Sequence, residues 1–245
     1  MRLLDFADPE RGLSGTVRPA GAALVFDHED VLAASAEASV ELGDGEGPVP
    51  VRAELDGVSV RLELANVGHT VRLESAAAGS EELSVCRITG ELRRGDRTEP
   101  VACLGIRSEG DEPDFSRVSL ERSVAVAFSD GGLLALRSAR PRGAESHGDE
   151  EVVAVVAEPN GEVTRIEEAL LSTQYDEEGR QVRANLELWP DDEDPGPPLR
   201  AAGSIVCGTT LPLAEQRLDV AFFRWSMGGR PGLGRYEVST GANAA

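Results

Sequence analysis

A two-residue rhythm of apolar and polar side chains runs through most of this chain. Val58, Val60, Leu62 and Leu64 alternate with Ser59, Arg61 and Glu63, and Val182, Ala184, Leu186 and Leu188 alternate with Arg183, Asn185 and Glu187. Successive side chains on an extended strand point to opposite faces, so each run predicts a strand with one face in a core and one in water. Similar runs cover 71–74, 83–92, 124–128, 152–157 and 218–225. Helical periodicity is weak throughout. The best helical stretch, Pro19 to Glu37, reads as well as strands.

Turn signals separate the runs: Gly43-Asp44-Gly45, Asp56-Gly57, Arg94-Gly95-Asp96, Asp130-Gly131-Gly132, Pro159-Asn160-Gly161 and Glu178-Gly179. Asp-Gly and Asn-Gly suit tight hairpins because both residues tolerate positive φ. Turns every 8 to 12 residues or so point to an all-β sandwich or barrel. The polar break 108–116 divides the 245 residues near the middle. It predicts two β-domains, 1–112 and 117–240, each built of antiparallel strands as a barrel or sandwich. The acidic, proline-rich stretch 191–198 reads as a hairpin loop. It lacks the carboxylate spacing of a calcium loop. The tail from Thr240 reads as disordered.

Charge removes several function classes. The net charge is −20, which repels nucleic-acid phosphate and anionic lipid, so no nucleic-acid partner is expected. All 24 basic residues are arginine, so a lysine Schiff base and a P-loop are excluded. No apolar run approaches the roughly 18 residues of a membrane span, and none near the N-terminus makes a signal peptide. Cys86, Cys103 and Cys207 are odd in number and far apart, as in a reduced cytoplasmic protein. No CxxC pair or His spacing suits a metal, and no Gly-x-Ser-x-Gly elbow is present. Glycines after a strand at 228–234 lead into another strand, which argues against a dinucleotide site. No cofactor and no metal are expected.

Features from Gly161 onward resemble a known family. They are Gly161-Glu162-Val163, 167–173, Tyr175-Asp176 with Gly179, 184–188, 217–225, and the closing run 228–237, Gly-Gly-Arg-Pro-Gly-Leu-Gly-Arg-Tyr-Glu. Together they resemble the C-terminal domain of the double-lipocalin family of carotenoid 1,2-hydratase (hydroxyneurosporene synthase) and AttH-like proteins. The resemblance implies two lipocalin-like β-barrels in tandem. It also implies a small lipophilic ligand and, in some members, hydration, cyclisation or isomerisation. The single-domain lipocalin Gly-x-Trp is not matched, since Gly15-Thr16-Val17 has Val in its third place. No residue role is carried over from the family.

Candidate site residues come from charges in unexpected places. Asp219 interrupts the apolar strand 218–225. Alternation puts Asp219, Ala221, Phe223 and Trp225 on one face and Leu218, Val220, Phe222 and Arg224 on the other. An acid and an arginine on opposite faces imply that at least one of them enters a cavity or an interface. Asp219 is therefore a candidate proton donor, and its simpler reading is a partner for an arginine. Glu168 shares a face with Leu170 and is a second candidate donor, with an edge-strand charge as the alternative. Glu167, Tyr175 and Glu237 complete that set. Arg224, Trp225, Tyr236 and His147 are candidate ligand-binding residues, and Trp225 reads more simply as core. His147 lies in a polar loop, 140–149, which reads first as a surface loop; where that loop covers a barrel mouth, His147 serves as a general acid or base. His28, between Asp27 and Glu29, is a turn residue or half of a dyad, and His69 is structural.

The expected function is binding of a small lipophilic molecule in a barrel or between domains, with cofactor-free acid–base chemistry if catalytic. A carrier or sensor, and an interaction protein with filled barrels, are the alternatives. A cavity with an ionisable base favours the enzyme, and a packed interior favours the interaction protein.

Overall fold

The computed structural model describes residues 2–18, 22–35, 38–43, 48–55, 57–144, 147–191, 197–213 and 216–241. The fold is all-β. The first half forms β1 (Arg2–Asp8), β2 (Leu13–Val17), β3 (Ala23–Asp27), β4 (Asp30–Ser35), β5 (Ser39–Leu42), β6 (Val49–Leu55), β7 (Val58–Ser75), β8 (Gly79–Arg94) and β9 (Arg97–Gly110). The second half forms β10 (Val118–Phe128), β11 (Leu133–Pro141), β12 (Glu151–Ala157), β13 (Val163–Tyr175), β14 (Gln181–Pro190), β15 (Leu199–Pro212), β16 (Gln216–Met227) and β17 (Arg230–Gly241). One 3-10 turn, His147–Asp149, precedes β12. Residues 111–117 carry the chain from the first half to the second. Strands, rather than a helix, occupy the described part of 19–37. The signal at Gly43-Asp44-Gly45, residue Asp56, most of 191–198 and the tail beyond Gly241 lie wholly or partly outside the described residues.

β10 to β17 close into an eight-stranded antiparallel barrel in which β17 pairs back onto β10 from Leu120↔Thr240 to Phe128↔Gly232. Closure removes every unpaired strand edge. The nine strands of the first half form one antiparallel sheet in the order β4-β3-β2-β1-β9-β8-β7-β6-β5. Inward side chains from β1 to β4 and β6 to β9, including Phe6, Val25, Ala33, Val51, Val60 and Ile88, meet in a single core, so the sheet curls around its own interior. Gly131, Gly161, Gly179, Gly228 and Gly229 all adopt positive φ in tight turns, where a side chain would be strained.

Among the described residues, the barrel interior is packed with the barrel's own side chains. Val126, Phe128, Leu136, Leu186, Leu188, Phe223, Trp225 and Tyr236 lie buried along its axis. Phe223 stacks on Trp225 and meets Tyr236 edge-on, both at 5.6 Å between centroids. Gly203 stands opposite Trp225, and a Cβ there would come within 2.8 Å of the indole.

The outer faces of sheet and barrel are also apolar where they meet. Val71, Leu83, Val85 and Ile106 pack on Ala125, Leu133, Ala135 and Val155. Leu24 and Phe26 pack on Leu218, Val220 and Phe222, with Phe26 edge-on to Phe222 at 6.0 Å. Strands buried on both faces therefore read as continuous apolar runs at 23–26 and 124–128.

Candidate functional site: an ionic cavity between sheet and barrel

Charges interrupt this apolar interface where β1 and the end of β2 face β10, β11 and β17. On the barrel's outer face, β17, β10 and β11 set Glu237, Ser123 and Arg137 in one cross-strand row, with Ser239 and Glu121 in the next. The sheet covers them with Asp5 of β1 and Arg18, which follows β2. Arg235 Nε donates to Asp5 Oδ2 at 2.7 Å and its Nη1 to Glu237 Oε2 at 2.8 Å. Arg18 pairs with Glu237 from the opposite side, and Arg137 pairs with Glu121. Arg137 Nη2 also donates to the Asp111 carbonyl at 3.0 Å, which ties the linker to the barrel. Arg18, Arg137, Arg235, Glu121 and Glu237 border a cavity of about 130 Å³, closed on other sides by Leu3, Glu81, Ser108 and Phe115, while Asp5 lies behind Arg235 outside it.

Of the acids that border this cavity, the two buried ones, Glu121 and Glu237, are pushed in opposite directions. Burial raises the Glu121 carboxyl above its ordinary range, and Arg137 only partly offsets that. Burial would raise Glu237 as well, but Arg18 and Arg235 together outweigh it and hold the group below its ordinary range. One acid is thus biased toward its protonated form and one toward its anion, the arrangement that divides acid and base roles. Arg137 Nη1 is buried there without a hydrogen-bond partner. Unsatisfied buried polar atoms are rare and mark a place for a polar occupant.

The residues singled out from the sequence fall elsewhere. Asp219 does share a face with Ala221, Phe223 and Trp225, and stands at one barrel end. Its Oδ1 accepts from Thr210 Oγ1 and from Arg217 at 3.1 Å. Arg122, two strands away in the same inward row, pairs with Glu150 at 3.2 Å, at the end of the loop that carries His147. The side chain of His147 lies outside the described residues. Glu168 and Leu170 do share a face, but it is the outer one, and Leu170 is 52% exposed. A bulge between Ile166 and Glu168 shifts the register so that Ala169 and Leu171 face the core. Tyr236 lies fully buried inside the barrel, its hydroxyl 2.6 Å from Thr173 Oγ1, and burial raises its phenol. Trp225 is buried beside it, with its Nε1 unpartnered. Arg224 points to the outer surface and lines two depressions there. His28 takes a positive φ of 57° in the β3–β4 turn, with its Nδ1 2.8 Å from Asp27. None of the eight residues Asp219, Glu168, Glu167, Tyr175, Arg224, Trp225, Tyr236 and His28 borders the ionic cavity, whereas Glu237 does.

Among the described residues no group of three or more His, Cys, Asp and Glu could hold a metal ion. No described helix is long and apolar enough to cross a membrane.

No family model matches the sequence, and no curated protein matches it. Solved structures do. A candidate AttH from Nitrosomonas europaea aligns over 98% of this chain and 91% of its own, with a TM-score of 0.66 and 10% identity. CghA aligns over 100% and 88%, with a TM-score of 0.64 and 10% identity. Kievitone hydratase from Nectria haematococca aligns over 99% and 89%, with a TM-score of 0.59 and 9% identity. The chain therefore has, over its whole length, the tandem lipocalin-like β fold of the AttH, CghA and kievitone hydratase structures, the architecture that its closing residues resemble.

Proposed function

We propose that the protein binds a small amphipathic molecule in the cavity between sheet and barrel, and carries out cofactor-free proton transfer on it. Hydration, cyclisation or isomerisation all fit this chemistry. The observation that carries the reading is the opposed pair, Glu121 and Glu237, sharing one shielded cavity. Glu121 is the proton donor, because burial favours its neutral form. Glu237, held anionic by Arg18 and Arg235, keeps those guanidinium groups oriented, and Arg137 offers its free Nη1 to an oxygen of the substrate. The filled barrel interior leaves the interdomain region as the better home for a ligand. The likeness to a protein named as a hydratase supports the reaction class only by fold.

All these reactions protonate or deprotonate carbon, so one test serves whatever the product. Wild-type protein is incubated in D2O with a panel of lipophilic alkenes and enones, and mass spectrometry reads deuterium bound to carbon. The wild type incorporates deuterium into at least one compound, and folded Glu121→Gln does not. Equal incorporation by that variant removes Glu121 from the mechanism. An absence of both incorporation and thermal stabilisation across the panel removes the proposal. The filled barrel favours a second reading, an interaction protein, which predicts that second outcome.

A further inference from the structure

A different feature lies on the barrel's outer surface, where Arg224 stands. Pairing across β13, β14, β15, β16, β17 and β10 places Gln174, Arg183, Ser204, Arg224, Leu233 and Ala127 in one continuous row. Directly opposed residues share a face, so all six side chains point the same way, outward. The row changes character along its length. Leu233 and Ala127 line a depression of about 410 Å³ whose other wall is the sheet's Ala7 and Leu104. Arg224 lines both that depression and a second one, of about 510 Å³, that contains Ser204 and Arg183.

Arg183 and Arg224 have no hydrogen-bond or ion-pair partner among the described residues, and both are exposed. Several other arginines on the barrel's outer surface pair with acids: Arg200 with Glu187, Arg217 with Asp219, and Arg180 with Asp176. In a chain of net charge −20, two acid-free arginines on alternate strands flanking a serine hydroxyl are a local reversal of sign. Asp8 is held by Arg11 at 3.0 Å and by the amide of Ala102 at 3.3 Å, and Glu10 is exposed.

We infer that this row is a second ligand site, separate from the ionic cavity, for a free organic carboxylate with an extended apolar body. The body lies in the groove between Leu233, Ala127, Ala7 and Leu104. The carboxylate lies over Ser204 between the two guanidinium groups, which match its geometry as bidentate donors. Three strand spacings of about 4.8 Å separate Leu233 from Arg183, so the site accepts a ligand of about 14 Å lying across the strands.

Dodecanoate is the probe, titrated calorimetrically below its micellar concentration, with dodecanol and dodecyltrimethylammonium as neutral and cationic counterparts. Dodecanoate binds and the other two bind at least tenfold more weakly. Arg224→Ala and Arg183→Ala each lower dodecanoate affinity about tenfold, as expected when one charge-assisted hydrogen bond is lost. Both residues are exposed and unbonded, so the variants keep the wild-type melting temperature. Leu233→Asp abolishes binding by placing an anion in the groove. Glu121→Gln, which alters the ionic cavity, keeps wild-type affinity. Equal binding of dodecanoate and dodecanol, or wild-type affinity in both arginine variants, overturns the inference. So does loss of binding in Glu121→Gln together with retention in Arg224→Ala. Failure of the deuterium experiment leaves this site untouched, since it uses none of the same residues.

Discussion

Arg235→Met tests how sheet and barrel are joined. Arg235 is 2% exposed, with Asp5 Oδ2 at 2.7 Å, Glu237 Oε2 at 2.8 Å and Ser123 Oγ at 3.3 Å. Burial opposes its charge, and the two carboxylates more than offset that and keep it protonated. Methionine fills similar space but removes the cation. Glu237 then still has Arg18, whereas Asp5 loses its one ionic partner among the described residues while its Oδ1 is already unpartnered. Breaking a buried pair by deleting one member costs about 3–5 kcal/mol, because the remaining charge is stranded. Replacing both members with apolar groups of similar size is close to neutral. Arg235→Met is therefore expected to lose about 3–5 kcal/mol in urea unfolding at pH 7, and the double variant Asp5→Leu, Arg235→Met to regain more than half of that. Because the bond joins β1 to β17, the single variant also separates the fluorescence and far-ultraviolet transitions, which coincide when unfolding is two-state. A loss below about 1 kcal/mol, or a double variant no more stable than the single, refutes the claim that this network holds the two halves together.

The opposed carboxylates predict opposite pH slopes. Glu237 has a lowered folded pKa, so its contribution is present above its ordinary value of 4.5 and is lost as pH falls through the folded value; the stability gap between wild type and Glu237→Gln narrows on acidification. Glu121 has a raised folded pKa, so its contribution is full below 4.5 and is lost as pH rises through the folded value; wild type gains on Glu121→Gln as pH falls. Urea unfolding at several pH values between about 3.5 and 7 reads both slopes, and slopes of the same sign would contradict the electrostatic assignment. Inside the barrel, Gly203→Ala places a Cβ 2.8 Å from the Trp225 ring and is expected to cost about 1–3 kcal/mol by overpacking. Adding Trp225→Leu relieves that clash, so strictly additive effects in the double variant would show that the indole does not lie over Gly203.

Fold class was legible because its signal is local. The alternation in 58–64 and 182–188 does not depend on partners, since the pleat alone decides which residues share a face. The same rule read β16 correctly: Ala221, Phe223 and Trp225 enter the barrel core, while Leu218, Val220 and Phe222 enter the interface. Glu168 shows where the rule stops, because a bulge at the preceding residue moves the next ones to the other face, and nothing in 163–173 announces it.

The ionic cavity carries the same signal as Asp219, a charge inside an apolar strand. Asp5 between Leu4 and Phe6, and Arg137 within 133–139, are equally out of place. What sequence could not supply is which of these charges meet. Asp5 and Arg235 stand 230 residues apart and Arg18 and Glu237 stand 219 apart, joined only when the curled sheet docks on the closed barrel. Local pattern determined strands, faces and turns, because those depend on neighbours in the chain. Docking decided the site, because the pairing of buried charges depends on distance through space, where a low dielectric makes a matched pair stable and an unmatched one costly.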